Sequence, residues 1–273
     1  MHYLGRISLM EGVFMTDFKR ITSKDNTLIK QISLLQTSAR ERKKTGTFVA
    51  EGLRLLLDCY ENDVRFLSLV IADEFLNKHA EDVENLAKNS KEIVVVTDTV
   101  FTKISDTKSP QGILAVIEMP ENNLSQIKSN GKYVALENVA DPSNLGAVSR
   151  TAEALGVDGI ILSSGGCDPY SPKALRSSMG TLLRMPVIVL DNFTDALKNS
   201  GLNLYACVVS GGKSINEVEF PNGSVVIIGN EANGLTDAVI EISQKITIPM
   251  SGRAESLNAA VAASIAMWEL IKR

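Results

Sequence analysis

Three short polar clusters punctuate the second half of the chain, each at the end of an apolar run. The first reads Leu136-Glu137-Asn138-Val139-Ala140-Asp141-Pro142-Ser143-Asn144-Leu145-Gly146, with Arg150 a little further on. The second reads Ile228-Gly229-Asn230-Glu231-Ala232-Asn233-Gly234-Leu235, and the third, after Ile248 and Pro249, holds Met250, Glu255, Ser256, Leu257 and Asn258. Amides, hydroxyls, carboxylates and one guanidinium can orient a substrate, grip an anion and relay a proton. Each cluster also has a plain structural reading. Asp-Pro-Ser-Asn is a turn with a good helix cap, and Ser256 or Asn258 can satisfy the free N–H groups of a following helix. Arg150 resists that reading, because a lone arginine among Leu145, Ala147, Val148, Ala152 and Leu155 calls for an anionic partner.

Several chemistries are excluded by what is missing. The second cluster spaces its glycines like a phosphate loop but lacks the Lys-Ser/Thr pair, and no GxGxxG occurs in the sequence. Two histidines, His2 and His79, lie in weakly patterned or polar helical surroundings, which leaves no candidate for His-based nucleophilic catalysis. Cys59, Cys167 and Cys207 are widely spaced and form no CxxC, so neither a disulfide framework nor a zinc site follows, and chemistry without metal is expected.

The elements that must position the clusters read as follows. From Tyr133 onward, apolar strands alternate with helical segments: 134–136 then 145–155, 159–163 then 172–183, 187–190 then 194–199, and 204–209. The series continues with 225–228 then 235–242, and 245–248 then a final helix. That rhythm predicts an α/β fold whose parallel sheet carries helices on both faces, with ligands at the carboxyl ends of the strands, where the clusters fall. The final helix is rich in Ala259, Ala260, Ala262, Ala263 and Ala266, which implies that another backbone approaches it closely.

Residues 16–120 read as a separate small α/β domain, with helices at 26–42, 53–60, 73–88 and 98–104 and strands at 67–71, 93–96 and 112–118. A polar linker over 121–132 separates it from the domain at 133–273. Residues 1–15 are weakly patterned and are expected to form a disordered extension without a signal-peptide core. No apolar run approaches the length of a membrane span, so a cytoplasmic protein is expected. The net charge of -4 argues against a nucleic-acid partner, but its distribution argues for one. Lys19, Arg20, Lys24, Lys30, Arg40, Arg42, Lys43 and Lys44 outnumber Asp17, Asp25 and Glu41, and screening confines such a patch's field to roughly 8–10 Å. Lys24, Arg40, Arg42, Lys43, Lys44 and Arg54 are the expected nucleic-acid contacts, the alternative being a solvated helix face.

In this order and at strand ends, the three clusters closely resemble the SpoU-type (TrmH-like) RNA 2'-O-ribose methyltransferases of the SPOUT superfamily. Gly46–Gly52 (GTFVAEG) and Ser109–Val116 (SPQGILAV) resemble that family's small, ribosomal-protein-like substrate-binding domain. The resemblance implies a C-terminus threaded into a trefoil knot, S-adenosylmethionine bound there, and a homodimer whose two subunits complete the site. It assigns catalysis to Asn144, Arg150, Glu231, Ser256 and Asn258, and cofactor binding to Gly229, Ile248, Met250 and Leu257. A guanidinium is a poor proton acceptor, so Arg150 is read as a phosphate clamp that also polarises the hydroxyl. Asn144 and Glu231 then orient that hydroxyl, with Ser256 and Asn258 placing the ribose or relaying the proton. Ribosomal RNA is preferred to transfer RNA, because a separate binding domain suits a large target recognised by shape. The alternative is a non-catalytic RNA-binding or ribosome-assembly protein that keeps the fold, against which the five intact polar residues argue. A base methyltransferase is a further alternative, disfavoured by SLNAAVA.

Overall fold

Runs such as IVVV, GIILS and SVVII become strands because β-branched side chains fit a pleated surface covered on both faces. The computed structural model describes residues 3–7, 16–122 and 124–272. It divides into two units, Met1–Pro120 with Tyr170–Pro172, and Glu121–Pro169 with Lys173–Arg273.

Unit 1 contains β1 (Tyr3–Ile7), β2 (Thr16–Ile21), α1 (Thr27–Thr37), α2 (Ala39–Thr45), β3 (Thr47–Glu51), α3 (Leu53–Glu61) and β4 (Phe66–Ala72). It continues with α4 (Asp73–Lys78), α5 (Ala80–Ala87), β5 (Ile93–Val96), α6 (Asp98–Ile104) and β6 (Ile113–Glu118). The sheet order is β1-β2-β5-β4-β6-β3. β2, β5 and β4 run parallel, while β6 is antiparallel to both β4 and β3.

Two expected helices are each broken once. Ser38 closes α1 through its N–H to Leu34 and then caps α2 with its hydroxyl, so 26–42 is two helices. The segment 73–88 breaks at His79, whose backbone (φ -129) leaves the helical region. Within the expected unstructured extension, Tyr3–Ile7 instead pairs antiparallel with β2, in register Tyr3 to Arg20. The edge of β2 offers unpaired backbone groups, which is what recruits such a strand. Residues 1–2 and 8–15 of that expectation lie outside the described residues.

Unit 2 opens with β7 (Lys132–Leu136), α7 (Pro142–Leu155), β8 (Gly159–Ser163), α8 (Pro172–Ser178), α9 (Thr181–Arg184), β9 (Val187–Leu190) and α10 (Phe193–Lys198). It closes with β10 (Asn203–Cys207), β11 (Lys213–Ser214), β12 (Ser224–Ile228), α11 (Asp237–Glu241), β13 (Gln244–Thr247) and α12 (Ala259–Ile271). The strand order β11-β13-β10-β12-β7-β8-β9 is parallel throughout, as alternating strands and helices require. Tyr133, Ile161, Ile188, Val225, Ile227 and Phe193 build the core on one face. The expected helix over 172–183 is interrupted by Met179 and Gly180, both left-handed at φ 51 and 86.

On another face α12 packs along α7 and across β12 and β7. Its Ala259, Ala260, Ala263 and Ala266 are buried, and the hydroxyls of Thr151 and Ser264 meet at 3.2 Å between the two helices. α7 is equally tight on its other side, where a Cβ on Gly146 would sit 2.2 Å from Ser177 Oγ. No helix among the described residues is long and apolar enough to cross a membrane.

Candidate active site

Asp141 caps α7 by accepting from the Ser143 N–H at 2.9 Å, which leaves the side chain of Asn144 for other work. Asn144 Nδ2 donates to Glu231 Oε1 at 2.5 Å, joining the first turn of α7 to the loop after β12. Asn258 Nδ2 in turn donates to Asn144 Oδ1 at 3.1 Å. Asn258 Oδ1 meanwhile accepts from Ala260 N at 2.9 Å and Val261 N at 3.3 Å, so it caps α12 as well. Asn258 is thus the helix cap that its position suggests and at the same time a hydrogen-bond partner of Asn144. One carboxylate and two amides from all three clusters form a single line of hydrogen bonds.

The loops that carry this line are themselves tied down by residues that pattern reading missed. Glu137 is 5% exposed at the end of β7, and its two oxygens take the Thr236 N–H at 2.8 Å and hydroxyl at 2.7 Å. Asn138 adopts a left-handed backbone (φ 54) and donates its N–H to Ser163 Oγ at 2.7 Å. Asn230 Nδ2 donates to the Asn138 carbonyl at 2.7 Å, linking a third strand end. Polar residues at the last position of a buried strand were the available signal, since such groups need partners. The loop folds onto Gly229 so closely that a Cβ there would lie 2.2 Å from the Gly234 carbonyl carbon.

Behind the line lies a cleft of about 380 Å³. Gly229, Ile248, Met250 and Leu257 all line it, with Glu231 and Ser256 among the polar residues. Its volume is within the range of pockets for small ligands, and apolar side chains beside loop backbone suit a neutral ring system with a polar tail. The donor set thus fits S-adenosylmethionine. Cys207 also faces the cleft, but burial pushes its thiol up to about 11, so it stays a neutral wall rather than a nucleophile.

Arg150 stands apart from this group. Six residues along a helix turn it through roughly 240° from Asn144. It is exposed, and its guanidinium has no hydrogen bond or ion pair among the described residues. Ala147 and Ala154 are exposed on the same helix. On α12, packed beside it, Val261 and Trp268 are 47% and 59% exposed, and Met179 is 56% exposed.

The expected RNA contacts divide in the same way. Lys24, Arg40, Lys43, Lys44 and Arg54 are exposed. Arg42 is not: it is 4% exposed, and its guanidinium donates to the carbonyls of Leu35 and Gln36 at the end of α1. Those carbonyls have no partner within the helix, so Arg42 is a structural cap and its assignment to RNA is withdrawn.

Comparison with known proteins bears on the whole chain. Residues 131–268 match the SpoU rRNA Methylase family, and residues 26–115 match a family described as MRM3-like substrate binding domain. The 23S rRNA (guanosine(2553)-2'-O)-methyltransferase RlmP of Bacillus subtilis is 32% identical over 255 residues, 92% of this chain and 99% of that protein. A 23S rRNA (uridine(2479)-2'-O)-methyltransferase of Streptomyces viridochromogenes is 29% identical over 93% of this chain and 92% of its own. The crystal structure of an AdoMet-bound rRNA methyltransferase from Sinorhizobium meliloti superposes with a TM-score of 0.81 at 28% identity, covering 93% of this chain and 97% of that one. With the family matched over residues 131–268 and RlmP 32% identical along nearly the whole of both chains, the chain belongs to the SpoU rRNA methylase family.

Proposed function

We propose that this protein methylates a ribose 2'-hydroxyl of 23S ribosomal RNA, acting in the cytoplasm as a homodimer with S-adenosylmethionine as donor. The activity is that of an RNA ribose 2'-O-methyltransferase. The single observation that carries the reading is the hydrogen-bonded line Asn258–Asn144–Glu231 at a cleft lined by Gly229, Ile248, Met250 and Leu257. The named relatives act on a guanosine and on a uridine, so what they share is the sugar rather than the base. That favours ribose over base chemistry here.

When bound, the cofactor supplies a methyl group already activated as a sulfonium. Transfer of that methyl to the 2'-oxygen would release the hydroxyl proton, which this chain's side chains would have to accept or pass on. Alignment is then the main task of the protein. Glu231 Oε1 is occupied by Asn144, while Oε2 has no partner among the described residues and is free to accept from a hydroxyl. Asn144 and Asn258 fix that carboxylate, and Ser256 on the cleft wall is placed to hold the ribose or pass the proton on.

Arg150 enters this scheme from the partner subunit, in keeping with its place on a different face of α7 from Asn144. Dimerisation through α7 and α12 would cover Val261 and Trp268 and bring the partner's Arg150 to the RNA phosphate. Family membership supports the trefoil threading of the segment between β13 and α12. Labelled S-adenosylmethionine and an unmodified 23S rRNA transcript, followed by mapping of 2'-O-methyl positions, test the proposal. Methyl groups on base atoms would overturn it, and failure to bind the cofactor would favour the assembly-factor alternative.

A further inference from the structure

Unit 1 carries its own cleft, of about 480 Å³, at the edge where β3, β4 and β5 end and β6 begins. We propose that this cleft takes up one unpaired nucleobase of the RNA, read by stacking on His79 and by hydrogen bonds to Asp98 and Gln111. The inference rests on the RNA-methyltransferase reading and adds to it a place and a chemistry of recognition separate from the basic helix α2.

Four observations support it. The rings of Phe75 and His79 stack at 4.4 Å between centroids, 20° apart, and both line the cleft. Phe75 is 6% exposed, whereas the His79 side chain is 42% exposed, so the imidazole is the open end of a stack whose base is fixed. Gly112 presses on that base from the loop before β6, since a Cβ there would lie 2.8 Å from Phe75 Cβ, and its φ of +96 suits only glycine. The hydrogen-bonding groups are half used. Gln111 Oε1 accepts the Leu53 N–H at 2.9 Å and Asp98 Oδ1 accepts the Glu74 N–H at 3.2 Å, while Gln111 Nε2 and Asp98 Oδ2 have no partner among the described residues.

The charge balance selects the ligand. Glu74 is neutralised by Lys78 at 2.5 Å, which leaves Asp98 as the uncompensated charge lining the cleft. An anionic phosphate is disfavoured there. A flat, neutral ring that offers one donor to a carboxylate and one acceptor to an amide fits, and every RNA base has such an edge. Bases in single-stranded RNA are recognised by stacking on aromatic or imidazole rings with hydrogen bonds to their edges.

The test uses the full-length protein and an unmodified 23S rRNA transcript, measuring RNA affinity by filter binding alongside cofactor affinity and kcat. Asp98→Asn keeps the acceptor for the Glu74 N–H but turns an amide donor toward the base. The proposal expects about five-fold weaker RNA binding, whereas a purely electrostatic cleft would bind RNA more tightly once an anion is removed. His79→Ala is expected to weaken RNA binding by at least the same factor, and His79→Phe to restore it, with cofactor affinity unchanged throughout. Unchanged or tighter binding by Asp98→Asn, or no recovery with His79→Phe, overturns the proposal. If the wild-type protein transfers no methyl group to the transcript, the methyltransferase reading fails instead, which keeps the two outcomes distinct.

Discussion

Both units place a cleft at the carboxyl edge of a sheet, yet the two are built differently. In unit 2 the loops are bound to one another: Glu231 to Asn144, Asn144 to Asn258, Glu137 to Thr236, Asn230 to Asn138. In unit 1 the cleft offers stacked rings and polar groups with spare valency, on a framework secured elsewhere by Glu51, which accepts from Gln36, Ser105, Asp106 and Thr107. Bond-making demands reacting groups held within fractions of an ångström, so its residues satisfy each other in advance. Docking a nucleic acid needs only a platform and unspent donors and acceptors. Unit 2 thus keeps one open acceptor, Glu231 Oε2, within loops that brace one another, whereas the unit 1 cleft keeps an open donor and an open acceptor, Gln111 Nε2 and Asp98 Oδ2, beside an exposed ring.

The sharpest way to break this comparison is to separate the contributions of the two subunits in the proposed dimer. Arg150→Ala and Asn144→Ala homodimers are each expected to lose about 100-fold or more in kcat. Mixed dimers of the two variants should regain one working site, measured by methyl transfer after co-expression. Inactive mixed dimers would mean that Arg150 serves its own chain. Next in size is Gly229→Ala, which drives a Cβ into the Gly234 backbone. An overpacking cost of about 1–3 kcal/mol should appear as weakened S-adenosylmethionine binding in calorimetry, with RNA affinity retained.

Glu137→Ala strands the Thr236 N–H and hydroxyl, and leaving such groups unmade costs about 1–3 kcal/mol. Glu137→Gln, which keeps an acceptor, should recover much of the cofactor affinity. Equal loss in both variants would show that the negative charge matters, not the clasp. The smallest effects belong to unit 1. Arg42→Ala should lower the melting temperature through about 1 kcal/mol of lost capping, without changing the salt dependence of RNA binding. Arg40→Ala should do the reverse, reducing the slope of log K against log salt by roughly 0.7–0.9.

Strand positions were legible because short apolar runs rich in Val and Ile have few other uses, and β5, β8 and β9 fall where those runs do. Helix interruptions were not. Ser38, His79 and Met179 each sit in continuous helical periodicity, and their breaks arise from backbone angles that periodicity does not report. Arg42 misled for a related reason: a basic run looks solvated until the preceding helix end turns its carbonyls toward one member of it. In the candidate site, the clusters announced themselves by residue type, and Asn144, Glu231 and Asn258 stand in hydrogen-bond contact. The partnership of Glu137 with Thr236 spans 99 residues, and no local pattern could have joined them.

Because Asn258 both caps α12 and closes the line to Asn144, the pocket is assembled from opposite ends of unit 2. A nascent chain that has emerged only as far as β12 lacks Met250, Leu257 and the cap, and so has no finished receptacle for a methyl donor. The cleft is therefore completed late in translation, after the strands and helices of residues 16–120 have been made.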